Sequence, residues 1–136
     1  MPIKPENRGF YPIDWPQLSG VIRFKRAAGR CEGCGRPHKT LVCHLGDGRW
    51  WDAEAREWRG GVQPTGRDMV QLRRTYVVLS TCHRNHDESD CAPRNLVAWC
   101  QSCHIRYDAP EHARRRRVTF LLRKALGDLF LGPYRA

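Results

Sequence analysis

Apolar residues near the start of the chain recur at helical spacing, with Trp15, Leu18, Val21 and Ile22 on one face and Arg26 continuing it. Asp14 stands where an N-cap is wanted and Gly29 where a helix ends, so the pattern predicts a helix over 15–28. Three prolines in the first dozen residues predict an extended arm, 1–13. From Thr75 to His83 the chain is rich in β-branched and aromatic residues and predicts one strand. On that strand Val77, Leu79, Thr81 and His83 share a face, with Tyr76, Val78, Ser80 and Cys82 on the other. A polar loop, 84–94, separates it from the apolar stretch Asn95–Trp99. A short helix is expected over 104–108. Pro110 suits the first turn of a further helix over 110–131, in which Val118, Leu121, Leu122, Ala125, Leu126 and Leu129 make a stripe opposite arginines. Residues 44–68 form a Gly- and Trp-rich insert, in which RWWDAEAREWRGG predicts a hairpin with a polar turn. Trp50, Trp51 and Trp58 there either cover a small core or stack on unpaired bases.

A chain of 136 residues is about one domain long, so 14–136 reads as a single domain with a modest core. Seven cysteines and six histidines suggest that metal or disulfides reinforce that core. No apolar run reaches membrane-spanning length, and MPIKPENRGFYP lacks the apolar core of a signal peptide, so a cytoplasmic protein is expected. In a reducing compartment paired CxxC motifs more often hold metal than form bridges. The net charge of +10 points to a polyanionic partner. Arg114, Arg115, Arg116 and Arg117 run consecutively, followed by Arg123 and Lys124, and a solvated helix face is the plainer reading of that run.

Cys31/Cys34 and Cys100/Cys103 supply two pairs of thiolates, each at the spacing that lets one turn aim both sulfurs at a single Zn²⁺. Gly33 and Gly35 permit the tight backbone of such a knuckle. A local alternative is Cys31, Cys34, His38 and Cys43. Cys43, Cys82 and Cys91 remain outside the paired motifs, and small buried hydrophobes are their default role.

The stretch VVLSTCHRNHDESDCAPRNLVAWCQSCHIRYD, Val77 to Asp108, resembles the ββα-metal core of HNH endonucleases, in particular small phage and bacterial ones with two CxxC knuckles. With the first knuckle the resemblance extends from about Arg30 to Asp108, excluding the insert. It implies a small α+β domain: an N-terminal helix, a ββα-metal core fastened by a structural zinc knuckle, and a basic C-terminal helix. His83 matches the general base, Asn95 the loop asparagine that orients it, and His104 with Asp108 the metal ligands four residues apart on a helix. The implied activity is metal-dependent hydrolysis of DNA phosphodiesters with little base specificity, using Mg²⁺ or Mn²⁺ besides the structural Zn²⁺. Many family members carry His or Asp immediately before the general base, where this chain has Cys82. His86, in HRNHD, is the candidate to supply the missing ligand from the loop.

These residue types suit the chemistry. Histidine titrates near neutrality and can take a proton from water, provided a partner holds its tautomer. Residues i and i+4 lie on one helix face, so His104 and Asp108 can reach one ion. Arg106 stands between them as a candidate phosphate contact, and Arg114–Arg117, Arg123 and Lys124 are expected to grip flanking backbone without reading sequence. Two other readings use the same residues: a zinc-knuckle module that binds nucleic acid without cutting it, and a nuclease active only beside a partner such as a phage packaging terminase.

Overall fold

The computed structural model describes the backbone of residues 3–131 and the side chains of 3–126. Its contacts divide the chain into two compact units, one ending at Cys103 and the other beginning at His104. It is a small α+β protein with antiparallel sheets, a C-terminal helix and a cysteine cluster.

Within the first unit, helix α1 (Trp15–Gly20) continues directly into a π-helical segment, Val21–Arg26. The predicted helix is therefore present, with a change of winding near its middle. Ala28 and Gly29 take positive φ of 54° and 73° and stop it. Two local expectations fail. The Asp14 side chain makes no capping bond, although its carbonyl accepts the Leu18 amide at 3.0 Å. Pro5–Phe10, within the predicted extended arm, winds into a 3₁₀ helix, because proline near a helix start loses no hydrogen bond and its φ suits the turn.

The insert is an integral sheet. Strands β1 (Thr40–His44), β2 (Trp50–Asp52), β3 (Glu57–Arg59) and β4 (Arg73–Val77) form an antiparallel sheet in the order β3-β2-β1-β4. The β2–β3 hairpin is the one its sequence predicts, with Asp52 Oδ1 accepting the Glu54 and Ala55 amides to set the turn. Trp50 is a core residue, whereas Trp51 and Trp58 pair edge-to-face across the strands at 5.9 Å.

The single strand expected over 75–83 is two strands in different sheets. β4 ends at Val77, and β5 (Ser80–His83) pairs with β6 (Leu96–Trp99). At the break, side chains replace strand partners. Gln101 Oε1 accepts the Val78 amide at 3.1 Å, and His38 Nδ1 accepts the Leu79 amide at 3.0 Å. The chain can leave one sheet for the other because these amides are satisfied locally.

All four residues of β6 are buried, since the hairpin is covered on both faces. On one side Cys82, Val97 and Trp99 join Cys31, Val42, Trp50 and Val77. On the other Leu96 and Ala98 pack with Ile22, Trp15 and Leu18 of the N-terminal helical segment.

Helix α2 (Gln101–Leu131) begins in the first unit and continues through the second. The two helices expected around Pro110 are thus one, with Pro110 in its interior. The proline withholds one amide, and the helix continues on the bonds of its other turns. Val118, Leu121, Leu122 and Leu126 of the expected stripe are exposed, as are the arginines. Leu129 falls outside the described side chains. No described helix is long and apolar enough to cross a membrane.

Candidate metal centre and histidine site

The first knuckle leaves the N-terminal helical segment through Gly29, and the second leaves β6 into the first turn of α2. They are strapped together by Glu32, whose amide donates to the Ala98 carbonyl at 2.9 Å while its carboxylate accepts the Ala98 amide at 2.7 Å. Arg26 closes the strap with a two-point contact to the Glu32 carboxylate and a bond to the Pro93 carbonyl. The result brings Cys31, Cys34, Cys100 and Cys103 Sγ within 4.8 Å of one another. A tetrahedral zinc thiolate site, with Zn–S of about 2.3 Å, needs sulfurs about 3.8 Å apart. Cys34 and Cys100 stand at 3.6 Å. Backbone amides of Gly33 and Cys100 point at Cys31 Sγ from 3.4 and 3.3 Å, as donors to a thiolate should. A Cβ on Gly33 would lie 3.0 Å from Cys103 Sγ, so the glycine is needed for space.

Electrostatics agree with a cation site. Hydrogen bonding within the quartet, first from Cys103, lowers the Cys100 thiol to about 6 and holds Cys31 far below its ordinary value, while the same bonds push Cys34 and Cys103 up, so without an ion two of the four sulfurs keep their protons. Four sulfurs so close cannot all ionise without a cation between them. The local alternative does not form: His38 Nδ1 is committed to Leu79, and Cys43 is not part of the cluster.

His83 lies on the opposite face of β5 from Cys82, as strand alternation requires. Its imidazole stacks on Trp15 at 5.6 Å and 11°, and Tyr11 meets it edge-on at 5.6 Å. Nε2 is 3.4 Å from Cys91 Sγ, and that thiol donates to the Glu88 carbonyl at 3.3 Å. The sulfur is then an acceptor for Nε2–H, which leaves Nδ1 as the nitrogen with a free lone pair. Burial lowers the His83 pKa, against opposing pulls from Glu88, Asp87 and Asp90, so the ring is neutral at pH 7.

Asn95, buried at the start of β6, does not touch the imidazole. Its Oδ1 accepts the Asn85 amide at 3.2 Å, and its Nδ2 donates to Asn85 Oδ1 and the Asp90 carbonyl at 2.9 and 2.8 Å. The Arg84 amide donates to its carbonyl at 2.8 Å. Asn95 therefore holds both ends of the loop that carries Cys91 to His83. His86 occupies the turn at positive φ of 58°, its amide 3.4 Å from the His83 carbonyl.

In the second unit, His104 Nε2 and Asp108 Oδ2 are 2.7 Å apart, which confirms the shared helix face. Arg106 is exposed. Within the arginine run, Arg114 and Arg115 grip Glu111 at 2.8–2.9 Å and hold its carboxyl down to about 2, while Arg116, Arg117, Arg123 and Lys124 lie exposed. Among the described residues, the cysteine quartet is the only group of three or more potential ligands that converges.

In the sequence Cys91 is one of three spare cysteines, and Tyr11 sits in a proline-rich arm. Only the return of the loop and the folding of the N-terminal segment bring them to His83. Comparison with protein-family models, curated proteins and solved structures finds no match.

Proposed function

We propose that this protein is a zinc-stabilised, metal-dependent DNA endonuclease of the HNH type. The observation that supports this most is the order β5–β6–α2 with a neutral, oriented His83 at the end of its first strand. In this reading His83 Nδ1 takes a proton from water as the water oxygen attacks phosphorus, and the bond to the leaving 3′ oxygen breaks. Cys91 holds the other ring nitrogen, and Asn95 keeps the loop that presents Cys91 in place. His104 and Asp108 suit a hard divalent cation, offering one imidazole nitrogen and one carboxylate oxygen from one helix face. Mg²⁺ or Mn²⁺ held there would supply Lewis-acid stabilisation of charge on the phosphate and the leaving oxygen. Arg106, Arg116, Arg117, Arg123 and Lys124 meet DNA phosphates in this reading, and His86, which joins no group of three ligands among the described residues, is not assigned to the ion.

The test is nicking of supercoiled plasmid with Mg²⁺ or Mn²⁺ added to zinc-loaded protein. His83→Ala should lower the rate about 10²–10⁴-fold, the usual range for a general base, with DNA binding and zinc content retained. Undiminished nicking by that variant would refute the assignment. DNA binding without cleavage by the wild type would favour the non-catalytic zinc-knuckle reading. Cleavage that emerges only with a packaging partner would place the nuclease inside a larger machine.

A further inference from the structure

Of the three tryptophans in the insert, Trp50 is the one that enters the core, buried with Val42 and Val77. Successive strand residues point to opposite faces, so Trp51 lies on the other face of the four-stranded sheet. Its cross-strand partner Trp58 shares that face. On β1 the residues flanking buried Val42 point the same way, and each is paired with a residue of β4: Leu41 with Tyr76, and Cys43 with Arg74. All four strands thus contribute to one outer surface. On it Leu41 is 57% exposed and Tyr76 53%, while both indoles are half-buried. A contiguous aromatic patch left in water marks a contact surface.

Charge and ring geometry decide what the surface fits. The carboxylates carried by these strands, Asp52 and Glu57, pair in register on the opposite face, where Arg59 holds both. The outer face carries one charged side chain, Arg74, which is exposed and engages no carboxylate among the described residues. Lys39 and Arg56 stand exposed at the end of the sheet where β1 begins and the β2–β3 hairpin turns, and Glu54 of that turn is held by Arg30. The surface is therefore aromatic and positive. Trp51 and Trp58 meet edge-to-face at 62°, so neither indole is stacked on the other and flat ring surface remains for a third ring. Strands lie about 4.8 Å apart, so Tyr76 on β4 stands far enough from the indoles to receive a different base of the same strand. A duplex keeps its base faces stacked inside, and unpaired nucleotides offer both the rings and the phosphates that this surface matches.

We propose that the outer face of the four-stranded sheet binds a single-stranded segment of nucleic acid, with bases stacked on Trp58, Trp51 and Tyr76 and a phosphate on Arg74. The surface uses no residue assigned to cleavage and does not depend on the nuclease reading.

The test uses the full-length zinc-loaded protein carrying His83→Ala, so that cleavage does not enter. An oligothymidylate of about ten nucleotides, the size that one such sheet surface accommodates, should bind saturably and quench tryptophan fluorescence. An oligouridylate of the same length tells DNA from RNA, and binding of either supports the proposal. Trp58→Ala or Trp51→Ala should weaken single-strand binding about tenfold or more and remove much of the quenching, with duplex binding unchanged. Trp58→Phe, which keeps a ring, should retain most of the affinity. Arg74→Gln should reduce the logarithmic salt slope of single-strand binding by about 0.7, the share of one phosphate. Retained zinc content and circular dichroism identify the folded variants. Should the tryptophan variants not fold, Tyr76→Ala and Arg74→Gln, both at exposed positions, carry the same test. Single-strand affinity and quenching unchanged in the folded variants would overturn the proposal, as would equal losses for duplex and single strand. A dimer dispersed by Trp58→Ala, with no response to either oligonucleotide, would assign the face to a second copy of the chain and also overturn it.

Discussion

The eight residues of the β5–β6 hairpin divide into two faces of four that are held by different forces. On the Cys82 face, Val97 and Trp99 pack into an apolar layer that continues into the four cysteine sulfurs. On the His83 face the apolar contacts are fewer, and polar bonds do more of the holding: Ser19 Oγ meets Thr81 Oγ1 at 2.8 Å, and Asn95 fastens the loop beyond the strand. A layer fastened by a metal ion at the cysteine quartet would tolerate little movement. A layer held by several bonds of about 1 kcal/mol each can carry a titrating group whose protonation must change. On the proposed function, the hairpin separates a rigid support from the surface that carries His83.

The most severe way to break the comparison is to remove the metal. One tightly held zinc per chain is expected by elemental analysis. Chelation should unfold the first unit, because structural zinc contributes about 10 kcal/mol or more in small domains. Loss of near-UV circular dichroism and of cooperative unfolding would register it. If chelation leaves the unfolding transition in place, the Cys82 face stands on apolar packing alone.

Leu96→Ala attacks the other face. The side chain is fully buried, and its truncation should cost about 3 kcal/mol in denaturant unfolding. Zinc content should not change, and its loss would show that the faces are not separable. Asn95→Ala leaves the Asn85 amide and the Asp90 carbonyl without their bonds and should cost about 2 kcal/mol. On the proposed mechanism it should also lower nicking more than Leu96→Ala does, since it releases the loop that orients His83. Equal losses for the two variants would reduce Asn95 to a purely structural residue.

The gentlest effect is on pH. His38, His44 and His83 all have folded pKa values below the ordinary histidine value of about 6.5, with burial the first cause in each. The folded state therefore binds fewer protons than the unfolded chain just below that pH. Stability should be complete above about 6.5 and decline as the pH falls toward the lowered values. The acidic limb of any nicking profile should likewise lie below 6.5. A limb above it would mean that His83 is not the group titrating.

Much of this was legible in the chain. The paired CxxC spacing named four residues that the fold brings together from distant positions, Cys31 and Cys100 being 69 residues apart, because two thiolates on one tight turn have few other uses in a small domain. The i, i+4 relation of His104 and Asp108 and the opposition of Cys82 to His83 followed from helix and strand periodicity alone. The insert hairpin was visible in its polar turn.

Tertiary structure decided the rest. Residues 75–83 have the composition of one strand, and only the side chains of Gln101 and His38, distant in sequence, supply the partners that let it break in two. Cys91 is a spare thiol in the sequence and becomes a partner of His83 only when the Asn95-bound loop folds back. Arg36 is one arginine among many until the fold buries its Nε without a hydrogen-bond partner. Periodicity and ligand spacing are local and are carried by neighbouring residues, so the sequence by itself determined them. Burial, hydrogen-bond satisfaction and charge pairing depend on which distant groups arrive, so only the folded chain determined those.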